Sequence, residues 1–226
     1  MKIKSLITAG LLVASVSANA GILRVTEGAF VGDAGLITFS EFSVGTVNPT
    51  YNAVDYGGAA GSPTVNFDGA FDFSGPTIAL DGYAPDAVIV SDGAAPNSPV
   101  LSGTPTFNGN LAVLFDVDVA GVGLDAGYFD AIGGTAIEAF DRAGNSLGSV
   151  LNESLGIEFL GLVTDDGLNG IAGLFFHIVG NEPAGYAIDS LRFGRQGDVV
   201  VPTVPEPGVL ALIGLGLVGV ALGRRV

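Results

Sequence analysis

Short apolar runs broken by glycine and proline fill the chain between positions 36 and 193, and their alternation follows a period of two rather than 3.6. The pattern predicts strands over Leu36–Ser40, Thr64–Phe67, Ala87–Ser91, Leu111–Val119, Thr135–Asp141, Ser146–Leu151, Ile157–Val163, Ile171–Val179 and Tyr186–Phe193. In Leu111–Val119 the alternation puts Val113, Phe115, Val117 and Val119 on one face and Leu114, Asp116 and Asp118 on the other. Asp141-Arg142-Ala143-Gly144-Asn145 reads as a hairpin turn between two strands. Many short strands joined by Gly-rich turns, with no helical stripe, predict an all-β fold, an antiparallel β-sandwich over residues 21–194. The stretch 52–105 holds most of the prolines and reads as long loops with a few strands, Ser91–Pro99 being an exposed loop.

The two ends follow other patterns. Lys2 and Lys4 precede an apolar stretch, Leu6–Val16, and then Ala18-Asn19-Ala20; this is the form of a secretory signal peptide over residues 1–20, cut after Ala20 by signal peptidase. At the other end, a linker over residues 195–204 leads to Pro205-Glu206-Pro207, an uncharged run from Gly208 to Gly223, and Arg224-Arg225. As a helix, 208–223 rises roughly 24 Å at about 1.5 Å per residue, short of a hydrocarbon core of about 30 Å. It is a marginal transmembrane helix; the alternative is a buried core helix. Arg224 and Arg225 act as a cytoplasmic membrane stop, which leaves everything before Pro205 on the far side. Gly214-Leu215-Gly216-Leu217-Val218-Gly219 matches a dinucleotide fingerprint in letters, but the chain ends seven residues later and supplies no acidic partner.

Triplet, apolar run and basic end together resemble the PEP-CTERM sorting signal of Gram-negative bacteria. The resemblance implies that a membrane-embedded exosortase recognises the tail and removes it. It implies an exported protein, anchored transiently in the inner membrane and then released to the cell surface or extracellular matrix.

Charge sharpens this picture. The whole chain carries −15, yet both lysines and two of six arginines lie in the terminal segments. The body keeps Arg24, Arg142, Arg192 and Arg195 against 22 acidic residues, a net charge of −18. Such a body repels nucleic acid and anionic membrane surfaces, leaving divalent cations and neutral or cationic polymers as compatible partners. With no cysteine, no disulfide framework supports it.

The order of Ile37-Thr38-Phe39-Ser40-Glu41-Phe42, Ala139–Gly148 and Tyr186–Gly194 is similar to jelly-roll sandwiches that resemble carbohydrate-binding modules. In those modules the first and last strands pair, and an acidic residue from each binds structural Ca²⁺. The resemblance assigns that role to Glu41 and Asp189, with Ser40 standing where the pattern often has a further acidic residue. The plainer alternative makes both ordinary strand-end polar groups.

Catalytic chemistry has little support. Thr164–Gly170 lacks the spacing and terminal Glu of an EF-hand and reads as a solvated turn. Asp116 and Asp118 share a strand face without any sign of an acid–nucleophile pair. The lone histidine, His177, sits in an apolar strand with no companion motif. Tyrosines suit sugar stacking better, and Tyr51 and Tyr56, flanking Asn52 and Asp55, form the best local candidate; sealing of the sandwich edge is the alternative. The expected function is a non-enzymatic surface or matrix protein that associates with exopolysaccharide. A secreted glycan-active hydrolase on the same scaffold is the alternative.

Overall fold

Alternating side chains build two antiparallel sheets that close over one core. The computed structural model describes residues 21–93 and 99–202. The signal peptide with Ala18 and Ala20, the Pro205-Glu206-Pro207 motif, the helix 208–223, Arg224 and Arg225 lie outside the described residues, as does 94–98 of the exposed loop.

In chain order the strands are β1 (Ile22–Val25), β2 (Gly35–Ile37), β3 (Thr50–Tyr51), β4 (Val65–Asp68), β5 (Phe71–Asp72), β6 (Ala79–Leu80), β7 (Ala87–Val90) and β8 (Val100–Gly103). They continue with β9 (Leu111–Val119), β10 (Gly121–Phe129), β11 (Thr135–Phe140), β12 (Ser146–Leu151), β13 (Gly156–Thr164), β14 (Ile171–Ile178) and β15 (Ala187–Gly194). One sheet runs β1-β13-β10-β15-β8-β7, with β2 added against β15; the other runs β12-β11-β14-β9-β4-β3. A small β5-β6 ribbon stands apart. Val122, Leu124, Leu160 and Leu162 of the first sheet share a core cluster with Val113, Phe115, Leu174 and Phe176 of the second, which makes the fold a sandwich.

All nine expected strands are present, with ends shifted by no more than three residues. Leu36–Ser40 and Tyr186–Phe193, the first and last of the expected strands, pair as β2 and β15, with Ile37 opposite Leu191 and Gly35 opposite Phe193, while β1, which opens the fold, pairs with β13. The 141–145 hairpin also forms: the Asp141 backbone N–H donates to the Asn145 carbonyl at 2.9 Å, and the Asn145 N–H donates to the Asp141 carboxylate at 2.8 Å.

Beyond the short strands β1, β3, β5, β6 and β8, which the pattern did not mark, three features differ from it. Val117, expected inward, is 42% exposed, because the β9–β14 register slips between Ile171 and Gly173 and turns the strand locally outward. Strand β10 was hidden by its glycines. Val122, Leu124 and Ala126 face the core, while the outward positions are Gly121, Gly123 and Asp125. A Cβ at Gly123 would lie 2.4 Å from the Phe159 ring, so the outer face has no room for the branched residues that announce a strand.

Finally, the expected linker from 195 is folded onto the body as far as it is described. Phe30 bridges Val199, the Val200 N–H donates to the Ala29 carbonyl at 2.8 Å, and Val199 and Val201 pack against the cluster of Val25, Ala29 and Val163. Apolar residues at alternate positions let this segment act as one more edge strand.

Candidate functional site

Three turns meet beside the end of β15. The first, after the 3-10 turn Glu27–Ala29, closes with the Ala34 N–H donating to the Val31 carbonyl at 3.2 Å. The second follows β15 directly, with the Asp198 N–H donating to the Arg195 carbonyl at 2.9 Å; the two are tied by the Val31 N–H donating to the Asp198 carbonyl at 2.9 Å. The third is the loop after β3, where the Gly58 N–H donates to the Ala53 carbonyl and the Ser62 N–H to the Ala59 carbonyl. Between them lies a cleft of ≈ 180 Å³. Its wall is Ala59 to Pro63, its floor Gly35 and Phe193, and its polar groups are Asp33, Arg195 and Asp198.

Tyr56 builds this cleft from behind. Its ring meets Phe193 edge-on at 5.2 Å and its hydroxyl donates to the Pro63 carbonyl at 2.5 Å, which fixes the loop wall. Burial, with the nearby Asp116 charge, pushes the phenol up to about 12, against a smaller opposing bond to Ser62. Gly35 is required at the floor: a Cβ there would stand 2.4 Å from the Phe193 ring.

Arg195 sets the electrostatics. Arg24 is paired with Glu158 and Glu153, Arg142 with Asp118, and Arg192 with Glu27. Among the described residues Arg195 makes no ion pair, and it is exposed at the cleft mouth. Its planar fork of donors and the acceptor oxygens of Asp33 and Asp198 are complementary to vicinal hydroxyls, and 180 Å³ is the space of about six waters, the scale of one sugar ring. The sequence offered a weak signal for this site: Arg195 and Asp198 stood in the expected linker, and Asp33 in a short turn.

Residues singled out from sequence fall elsewhere. Tyr51 is fully buried, edge-on to Phe39 and Phe67 at 6.1 and 5.8 Å, so it cannot stack on a sugar; strand pairing of Tyr51 with Val65 turns the ring into the core. Of the pair, only Tyr56 touches the candidate site, as its support. Asp116 accepts the Thr64 N–H at 2.8 Å, and Asp118 is held by Arg142, so both are committed to the fold. His177 meets Phe175 edge-on at 5.0 Å, and burial lowers its pKa. In the 164–170 turn the Leu168 N–H donates to Asp166 at 2.9 Å.

Glu41 and Asp189, the pair expected to hold calcium, each accept hydrogen bonds from residues close by in sequence. Glu41 accepts the Thr38 N–H and hydroxyl at 3.0 and 2.9 Å, and its other oxygen is buried without a partner among the described residues. Asp189 is 1% exposed, accepts the Ser190 N–H at 2.6 Å and faces Asp125 across β10. Among the described residues no three acidic, histidine or cysteine side chains converge as metal ligands. Asp125, missed in the sequence reading, has its carboxyl pKa raised by burial first and by the Glu27 charge next, against Arg192 and a bond to Ser190.

The described residues reach Pro202, three positions before the expected Pro205-Glu206-Pro207 triplet. Residues 203–225 match the family model of the PEP-CTERM protein-sorting motif. The motif marks the chain for export through the membrane-associated sorting pathway to the cell surface, and it implies processing by exosortase. Among solved structures, the crystal structure of the K2 cleaved adhesin domain of Lys-gingipain aligns with 71% of this chain and 98% of its own, at a TM-score of 0.41 and 10% identity. A search of curated proteins finds no match.

Proposed function

We propose that the exported body binds an extracellular polysaccharide through the cleft at Arg195, without turning it over. The observation that carries the reading is Arg195 itself. In a body of −18, the described arginine left without an ion pair lines a ring-sized cleft together with Asp33 and Asp198. A guanidinium supplies donors to hydroxyls, and the aspartates accept from hydroxyls, which orients a ring of a neutral polymer without a Trp platform. The sorting motif supports the setting, because surface delivery puts the cleft where such polymers are.

Co-sedimentation with the polysaccharide purified from the producing cells, combined with a reducing-end assay, tests the reading. The processed protein should sediment with the polymer, Arg195→Ala should remain in solution, and no new reducing ends should appear. Release of reducing ends would replace this reading with a secreted hydrolase.

A further inference from the structure

The first and last segments of the body form one groove. Val25 and Ala29 make its floor, Val200 and Pro202 one wall, and Arg24 and Gly28 stand at its rim, around ≈ 410 Å³ of space. The groove is held together by the Phe30–Val199 bridge and the Val200-to-Ala29 hydrogen bond. Its surface is mostly apolar in a body that is otherwise strongly acidic, and Val200 is 52% exposed.

What stands over the groove is set by the chain that follows. Only Thr203 and Val204 separate Pro202 from Pro205, so the sorting triplet begins within about 10 Å of the groove wall even at full extension. An enzyme acting at that triplet works within reach of the surface formed by Val200 and Ala29.

We propose that the groove is the seat of the exosortase: an apolar segment on the extracytoplasmic side of the peptidase docks between β1 and the 199–202 edge, so that folded body and motif are recognised together. This rests on the reading of 203–225 as the sorting motif. Recognition in this form delays tail removal until β1 and residues 199–202 have come together, and it therefore selects folded cargo.

Pulse–chase of the full chain in the producing cells, following tail removal by mass, tests the proposal. Val200→Asp alters an exposed wall residue and should leave the melting temperature of the processed protein unchanged while slowing tail removal by roughly fivefold or more. A flexible Gly-Ser insertion of about ten residues between Pro202 and Thr203 should slow it similarly, and adding Val200→Asp to the insertion should do nothing further. Wild-type processing of Val200→Asp, with Glu206→Gln blocking tail removal, would overturn the groove and leave the sorting reading standing. Unchanged processing in Glu206→Gln would overturn both. Binding of the processed protein to phosphatidylethanolamine–phosphatidylglycerol vesicles, lost in Val200→Asp, would make the groove a lipid contact and overturn the proposal.

Discussion

The Tyr51 hydroxyl and the Oε2 atom of Glu41 are both buried, and both lack a hydrogen-bond partner among the described residues. The two are coupled: burial, followed by the Glu41 charge, raises the Tyr51 pKa far above its ordinary value. Tyr51 sits there because the alternation of β3 directs its ring between Phe39 and Phe67, and the ring contacts outweigh the orphaned hydroxyl.

Tyr51→Phe keeps those ring contacts and removes the unsatisfied group. We expect it to stabilise the protein by about 1 kcal/mol, which for this size is a rise of roughly 2–4 °C in melting temperature. Calorimetry checks the sign; a fall would mean that the hydroxyl is satisfied by a group bound in the core.

Calcium removal is the next test. Among the described residues no third carboxylate joins Glu41 and Asp189, and EDTA is expected to leave the melting temperature unmoved. A calcium-dependent drop of several degrees would restore the metal assignment implied by the jelly-roll resemblance.

How far the sequence was legible depends on what each strand packs against. Leu111–Val119 announced itself because its core face is aliphatic and aromatic, whereas Gly121–Phe129 was hidden because the Phe159 ring lies over Gly123 and demands a residue without Cβ. The candidate cleft was half legible. Tyr56 marked its loop, but Asp33, Arg195 and Asp198 come from turns as much as 165 residues apart in sequence, brought together by the β2–β15 pairing that sets Gly35 against Phe193 and by the Val31-to-Asp198 hydrogen bond. Period-two patterns report which face is buried and carry no information on which turns meet.

Asp125 gives the account a pH signature. Its folded pKa is raised above the unfolded value, mainly by burial. The folded state therefore binds more protons, and stability falls as pH rises from the unfolded carboxyl pKa, about 4, through the folded one. Asp125→Asn should remove that decline, giving a higher melting temperature than wild type at pH 7 and no difference below about pH 4. Identical pH–stability curves for the two proteins would contradict it.

Gly35→Ala tests the floor of the cleft. The new methyl group would stand 2.4 Å from the present position of the Phe193 ring and must displace it. We expect a loss of about 1–3 kcal/mol together with weaker polysaccharide binding; unaltered stability in denaturant titrations would show that the ring yields freely.

Polysaccharide binding turns on Arg195, and the calorimetric affinity of the processed protein for polysaccharide purified from the producing cells measures it. Arg195→Ala should weaken binding by roughly tenfold, the loss of one charge-assisted contact of about 1.4 kcal/mol. Tyr83→Ser should leave it unchanged, since Tyr83 is exposed and lies outside the cleft. Wild-type affinity in Arg195→Ala, or loss of binding in Tyr83→Ser alone, would contradict the cleft as the binding site.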